Sequence, residues 1–269
     1  MLEAIARAIP KSCFVGFDPA IDNAFKAGKP IPDDLQEKAA RRREVLARAE
    51  ERPAGLPGHL ARLFPDEFEE SELGWIPKGW RAVTLDNVVE ILDSRRVPLS
   101  SRQRAERQGR YPYYGAAGVL DYVDDYLFEG VHVLLGEDGS VVDDNGFPFV
   151  QYVWGRFWVN NHAHVLRGRN GICNEYLYLF LKQINIQPFV TGAVQPKLNQ
   201  QNMKAIPFLL PSMSVCNIFS QHMALAFERL RVSTDHAKTL AAIRDTLLPK
   251  LISGELRVKN IEKFLGGNV

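Results

Sequence analysis

The chain has 269 residues, 46% of them apolar and 10% aromatic, with 20 glycines and a formal net charge of +1. Such a composition excludes a disordered chain and allows a core large enough for one or two domains. No run of eighteen apolar residues occurs. Glu3, Arg7, Lys11 and Asp18 interrupt the stretch where a signal peptide needs unbroken apolar sequence, which points to a cytoplasmic protein with no membrane partner.

Leu2, Ile5, Ala6 and Ile9 fall at helical spacing and Pro10 disfavours continuation, so the chain is expected to open on a short helix within 1–16. A linker region is expected over 17–75. It starts with a loop-like passage from Asp18 to Asp34, and Asp33 or Asp34 then caps a charged, solvated helix running to about Glu50 with Arg41, Arg42 and Arg43 on it. Pro53, Gly55, Pro57, Gly58, Pro65, Pro77 and Gly79 are dense enough to mark a boundary, with a new domain starting near Trp75. Over 76–212, β-favouring runs such as Val131-His-Val-Leu-Leu135 and Phe149-Val-Gln-Tyr-Val-Trp154 alternate with Gly and Asn-Asn turns. A helix around Asn174 to Ile184 interrupts them, so the fold class expected is α/β, a mixed α+β domain.

After Pro211 the pattern changes. Phe219, Met223, Ala226, Leu230, Ser233, Ala237, Leu240, Arg244, Leu247 and Leu251 alternate at spacings of four and three. Over 213–256 this predicts a long coiled-coil helix, in which about 38 residues at 1.5 Å each span roughly 57 Å. Phe219, Met223, Leu230, Leu240 and Leu247 are its candidate interface, and a C-terminal tail over 257–269 completes the chain. Leu2-Glu-Ala-Ile5 also resembles Leu240-Ala-Ala-Ile243, so the chain begins and ends in the same kind of helix.

Signs of catalysis are few. Gly136-Glu-Asp-Gly-Ser140 lacks the lysine of a phosphate loop and brings two anions to where phosphate would sit, so it reads as a turn. His162 and His164 share a strand face without a third ligand nearby in sequence, and no metal is expected. Cys13, Cys173 and Cys216 form no CxxC and read as buried, inert thiols. There is no G-x-S-x-G elbow, and Asp121, Asp124, Asp125, Asp143 and Asp144 contain no marked acid and base pair.

Features suited to nucleic acid are better represented. Arg95, Arg96, Arg102, Arg104, Arg107 and Arg110 face a lone Glu106 within sixteen residues, a candidate phosphate-contacting segment, and Tyr111, Tyr113 and Tyr114 come directly after it. Gln195, Lys197 and Asn199 lie on a polar loop, and Gln and Asn can pair bidentately with adenine as Arg and Lys do with guanine. The candidate DNA-binding residues are therefore Arg95, Arg96, Arg102, Arg104, Arg107, Tyr113, Tyr114, Gln195, Lys197 and Asn199.

Five segments carry a resemblance: Glu72-Leu-Gly-Trp-Ile-Pro-Lys-Gly-Trp80, Tyr111-Pro-Tyr-Tyr-Gly-Ala-Ala-Gly118, Asn160-Asn-His-Ala-His-Val-Leu166, Thr191-Gly-Ala-Val-Gln-Pro-Lys-Leu198 and Leu247-Leu-Pro-Lys-Leu-Ile-Ser-Gly-Glu-Leu256. Together they resemble specificity subunits of type I restriction-modification systems. The resemblance implies a non-catalytic subunit that binds double-stranded DNA and assembles with modification (methyltransferase) and restriction subunits. S-adenosylmethionine would be bound by the first partner and ATP by the second, and this chain would carry no cofactor. An ordinary specificity subunit has two target-recognition domains separated by antiparallel helices, whereas this sequence has one. A half-length subunit of this kind is expected to form a homodimer on a symmetric, interrupted site, unless the chain is a truncated product. The rival classes are a recognition module of another restriction class, paired with a fused methyltransferase-nuclease, and a small enzyme using the acidic residues after Asp121.

Overall fold

A computed structural model describes residues 11–48, 56–192 and 194–255. The expected opening helix over 2–9 and the tail over 257–269 lie outside the described residues. Lys11–Gly16 forms a π-helical turn that buries Cys13 and Phe14. The passage from Asp18 to Asp34, expected to be a loop, instead contains helix α1 (Asp18–Ala27). Pro19 in its first turn has φ preset for a helix, and Gly28 closes the other end at φ 65, a left-handed cap that suits glycine. Ala20, Ile21 and Ala24 are fully buried along one face of α1.

Helix α2 (Gln36–Ala47) packs against α1. It is not the wholly solvated connector expected, because Ala39 is buried and Arg42 reaches back to chelate Asp22 through two hydrogen bonds of 2.7 and 2.6 Å. The Arg41, Arg42 and Arg43 run thus divides, its middle member holding two helices together. Helix α3 (Gly58–Ala61) comes next, then a hairpin of β1 (Phe68–Ser71) with β2 (Gly74–Pro77). The hairpin pairs Glu70 with Trp75 and Glu69 with Ile76, so the boundary expected near Trp75 cuts through a single paired unit. Trp80 gathers Phe14, Phe17 and Phe64 around its ring at 5.8 to 6.0 Å, and this cluster joins the N-terminal helices to the chain beyond Trp80.

Strands β3 (Arg81–Thr84) and β4 (Val89–Ile91), helix α4 (Ser101–Glu106), strands β5 (Gln108–Tyr114), β6 (Val119–Val123), β7 (Phe128–Glu129), β8 (His132–Gly136), β9 (Val150–Val153), β10 (Arg156–Val159) and β11 (Ala163–Gly168), helices α5 (Asn174–Leu181) and α6 (Gln200–Lys204), and strand β12 (Pro207–Leu210) make up the mixed α/β body. Two four-stranded sheets run β6-β5-β10-β7 and β4-β11-β8-β9, and β12 pairs with β3. Phe128, Leu134, Val153, Phe157, Val159 and Val165 form one buried cluster. Each contributes about 1.5–3 kcal/mol from burial.

Helix α7 (Met213–Ile252) is 40 residues long, about 60 Å at 1.5 Å per residue. The described chain divides into two units between Leu225 and Ala226. In the first unit, Phe219 packs on Phe14 at 4.8 Å and on Tyr176 at 5.3 Å, and Met223 is 3% exposed. Phe219 and Met223, expected at the coiled-coil interface, are therefore core residues, since the first turns of the helix close the domain's own core. In the second unit Leu240 is 66% exposed, Leu247 37%, and Ile243, Leu248 and Leu251 are exposed with them, while Leu230 is half-buried. Among the described residues no helix is long and apolar enough to cross a membrane.

Candidate nucleic-acid interface

Strand order brings distant loops together. β5 and β10 are parallel neighbours in register at Tyr114 and Val159, so both chains leave the sheet at the same end, and the Asn160 N–H donates to the Tyr114 carbonyl at 3.0 Å. β8 runs antiparallel to β11 with Gly136 opposite Ala163, which places the loop after β8 at that end too. The loops at 115–118, 137–140 and 160–162 are thereby adjacent although up to 47 residues apart in sequence.

The loop carrying Gln195 and Lys197 completes the rim. Asp138 bridges to Lys197, the Gly139 N–H donates to the Pro196 carbonyl at 3.2 Å, and the Leu198 N–H donates to the Glu137 carbonyl at 2.9 Å. The result is an open cleft lined by Ala116, Leu120, Asp138, Ser140, Asn160, His162 and Gln195. Gly136 is required at its edge, because a Cβ there would run into the Ser140 carbonyl. Gln195 donates to Asp138 at 2.7 Å, Asn160 holds the His162 N–H at 2.8 Å, and the His162 ring lies 3.6 Å from Asp138. Half of the His162 side chain is exposed. The cleft thus combines amide, hydroxyl, imidazole and carboxylate groups with apolar Leu120, an assortment suited to the mixed donors, acceptors and methyl groups of base edges.

The arginine segment lies differently from its expectation as a phosphate-contacting strip. Arg104 pairs with Asp121 at 3.1 Å and lies over the Tyr113 ring, and Arg107 pairs with Asp124 at 2.9 Å, both across the β5-β6 hairpin. Arg102 pairs with Glu106 one turn away on α4, its side chain 89% exposed. Arg95 donates to the Leu127 carbonyl and stacks over Phe128. Arg96, only 11% exposed, bonds Glu137 and the Ala163 carbonyl, both at 2.6 Å. Of the basic segment, Arg104 and Arg107 thus neutralise Asp121 and Asp124, while Arg96 and Arg102 pair with Glu137 and Glu106.

Two further residues change role. Tyr113 is 1% exposed with its hydroxyl accepting the Leu99 N–H, so it is corrected from a DNA-contacting residue to a core one. Arg96 is corrected from a phosphate contact to a buried anchor. Tyr114 is half-buried edge-on to Phe157, and Asn199 accepts the Asn202 N–H as the cap of α6. Of the candidates, Gln195 lines the cleft, with Lys197 exposed beside it. Sequence reasoning left out Asp138, Asn160, His162 and the Ala116–Leu120 turn as site residues. The available signal was turn residues at the same ends of alternating strands.

Beneath the cleft Asp93, Glu137 and His164 bring potential ligand atoms within 4.8 Å of one another. The arginine among them argues against a metal. Arg96 already occupies Glu137, while Asp93 accepts from the Val165 N–H at 2.9 Å and from Gln200 at 2.7 Å. Burial raises the Asp93 carboxyl, but the hydrogen bond and charge of His164, the Val165 N–H and Arg96 together hold it below the usual carboxylate range. Burial pushes the Cys13 thiol up to about 12 and Cys216 to about 11, so neither is a nucleophile.

Residues 77–227 match the family of the type I restriction modification DNA specificity domain. A putative type I restriction enzyme specificity subunit, S.HindORF215P of Haemophilus influenzae, is 39% identical over 155 residues, covering 57% of this chain and 37% of that protein. The type I restriction enzyme HindI specificity subunit of the same organism is 24% identical over an alignment covering 95% of this chain and 62% of the relative. The S subunit of a type I restriction-modification system from M. genitalium is similar to this chain with a TM-score of 0.47 at 20% identity, over 65% of this chain and 46% of that one. The chain therefore spans less than two thirds of the length of these relatives. The matched segment contains both sheets and every loop of the cleft, and the chain belongs to the type I restriction modification DNA specificity domain family.

Proposed function

We propose that this chain is a non-catalytic, sequence-specific DNA-binding subunit that reads one half of an interrupted site through the cleft and recruits modification subunits along α7. The observation that carries the reading is the convergence of four loops, from strands far apart in sequence, on one surface with Gln195, Asn160, His162 and Ser140 at its rim. Phosphate contacts position a protein on DNA, and base-edge contacts give it specificity. The polar rim supplies the second kind, and exposed Lys197 beside it supplies the first. Double-stranded DNA, modification subunits and a restriction subunit are the partners. S-adenosylmethionine and ATP belong to those subunits, and the exposed leucines of α7 pair two copies into a homodimer.

Selection from a library of random duplexes tests the reading. Enrichment of a defined half-site by the wild-type chain, lost in the Gln195→Ala variant, is the expected outcome. Retention of all duplexes equally would refute it.

A further inference from the structure

His164 sits directly below the cleft, fully buried, and both of its ring nitrogens face acceptors. Nε2 lies 2.7 Å from the Leu198 carbonyl, which can only accept, so Nε2 carries a hydrogen. Nδ1 lies 2.6 Å from Oδ2 of Asp93. That carboxylate is already surrounded by donors: the Val165 N–H, the Gln200 amide and, at 3.4 Å, the Arg96 guanidinium. An oxygen pair placed among three donors is an ionised acceptor, so Nδ1 carries a hydrogen as well.

Charge balance supports the same assignment. Arg96 and a cationic His164 offset Asp93 and Glu137, whereas a neutral ring would leave an uncompensated negative charge in a buried site. We propose that His164 is a positioning residue for the base-reading loop: an imidazolium whose two N–H groups tie the Leu198 carbonyl, and with it Gln195 and Lys197, to the sheet. The functional half of this proposal rests on the cleft's being the DNA interface.

The physical consequence is a clamp that depends on two protons. Asp93 and Arg96 face the ring from the turn after β4, and Glu137 from the loop after β8. Gln200 of α6 adds a neutral donor, and Asp138 and His162 lie one shell outward. Removal of either ring proton turns a donor into a lone pair aimed at an oxygen. The remaining proton stays on Nδ1 facing the ionised Asp93, the stronger acceptor, so the repulsion falls on the neutral Leu198 carbonyl.

Nitrogen-15 spectra of the histidine rings in the full chain at neutral pH test the protonation state. Two N–H signals for His164 are expected, and a single one overturns the clamp. Hydrogen exchange then reads the loop in wild type and His164→Gln. At least a tenfold loss of protection at Lys197 and Leu198, with Val133 and Phe157 unchanged, is expected, and equal protection in the two proteins overturns the proposal. Where the variant loosens the sheets too, Asp93→Asn, which keeps the ring and removes its carboxylate acceptor, decides. Lys197 and Leu198 must lose protection relative to the sheets in that variant, and uniform behaviour refutes the clamp. DNA discrimination is measured in parallel. A loop released without any change in discrimination would leave the clamp standing and refute the cleft as the reading surface.

Discussion

Arg96 distinguishes a surface phosphate contact from a buried anchor, and its replacement by methionine separates the two quantitatively. The guanidinium bonds Glu137 and the Ala163 carbonyl, both at 2.6 Å, and lies 3.4 Å from Asp93, with its side chain 11% exposed and those of its partners 18% and 4%. Methionine preserves most of the stem but leaves the Asp93 and Glu137 carboxylates without their guanidinium partner. Breaking a buried pair in this way costs about 3–5 kcal/mol. For a chain of this size, about 2–4 °C of melting temperature per kcal/mol predicts a fall of roughly 6–20 °C. Thermal unfolding by circular dichroism reads it directly. A variant within about 1 kcal/mol of wild type would refute the network as an anchor. A phosphate contact would instead leave the melting temperature alone and lower the salt slope of DNA binding by about one.

The same geometry makes two other outcomes testable. Leu240→Glu with Leu247→Glu falls on exposed positions, so the domain should melt within about 1 kcal/mol of wild type while self-association or modification-subunit binding is lost; sedimentation showing intact assembly would refute the role of the helix face. Asp93 is held below its ordinary value of 3.8, so the stability it contributes is complete above that pH and lost as pH falls through the depressed value. Asp93→Asn should therefore be less stable at neutral pH, with a flatter decline below about pH 4 in urea titrations, and an unchanged acid limb would contradict the assignment.

The long helix was legible because its signal is local and periodic: a four-three alternation survives on paper whatever the helix packs against. What the alternation could not say is where core ends and free face begins, so Phe219 and Met223 look the same in sequence as Leu240 and Leu247. The arginine run misled for a related reason. Arg104 and Arg107 meet Asp121 and Asp124 only once β5 and β6 pair, and a charge run reads identically whether it faces solvent or a partner strand. Helix α1 was recoverable in principle from Pro19 and Gly28 at its two ends, but the flanking Pro30 and Pro32 suggested a linker. Gln195 and Lys197 were singled out for side-chain chemistry, whereas Asp138 and His162 joined them through sheet order, which no single segment encodes.

Selection of DNA sequence by the cleft is read most directly by co-expressing the chain, and separately its Gln195→Arg variant, with a modification subunit and mapping methylated sites across genomic DNA. A symmetric, interrupted motif is expected for the wild-type chain, and a changed or degenerate base at the same position in both half-sites for the variant. An identical motif in both strains, or methylation without any motif, would contradict it.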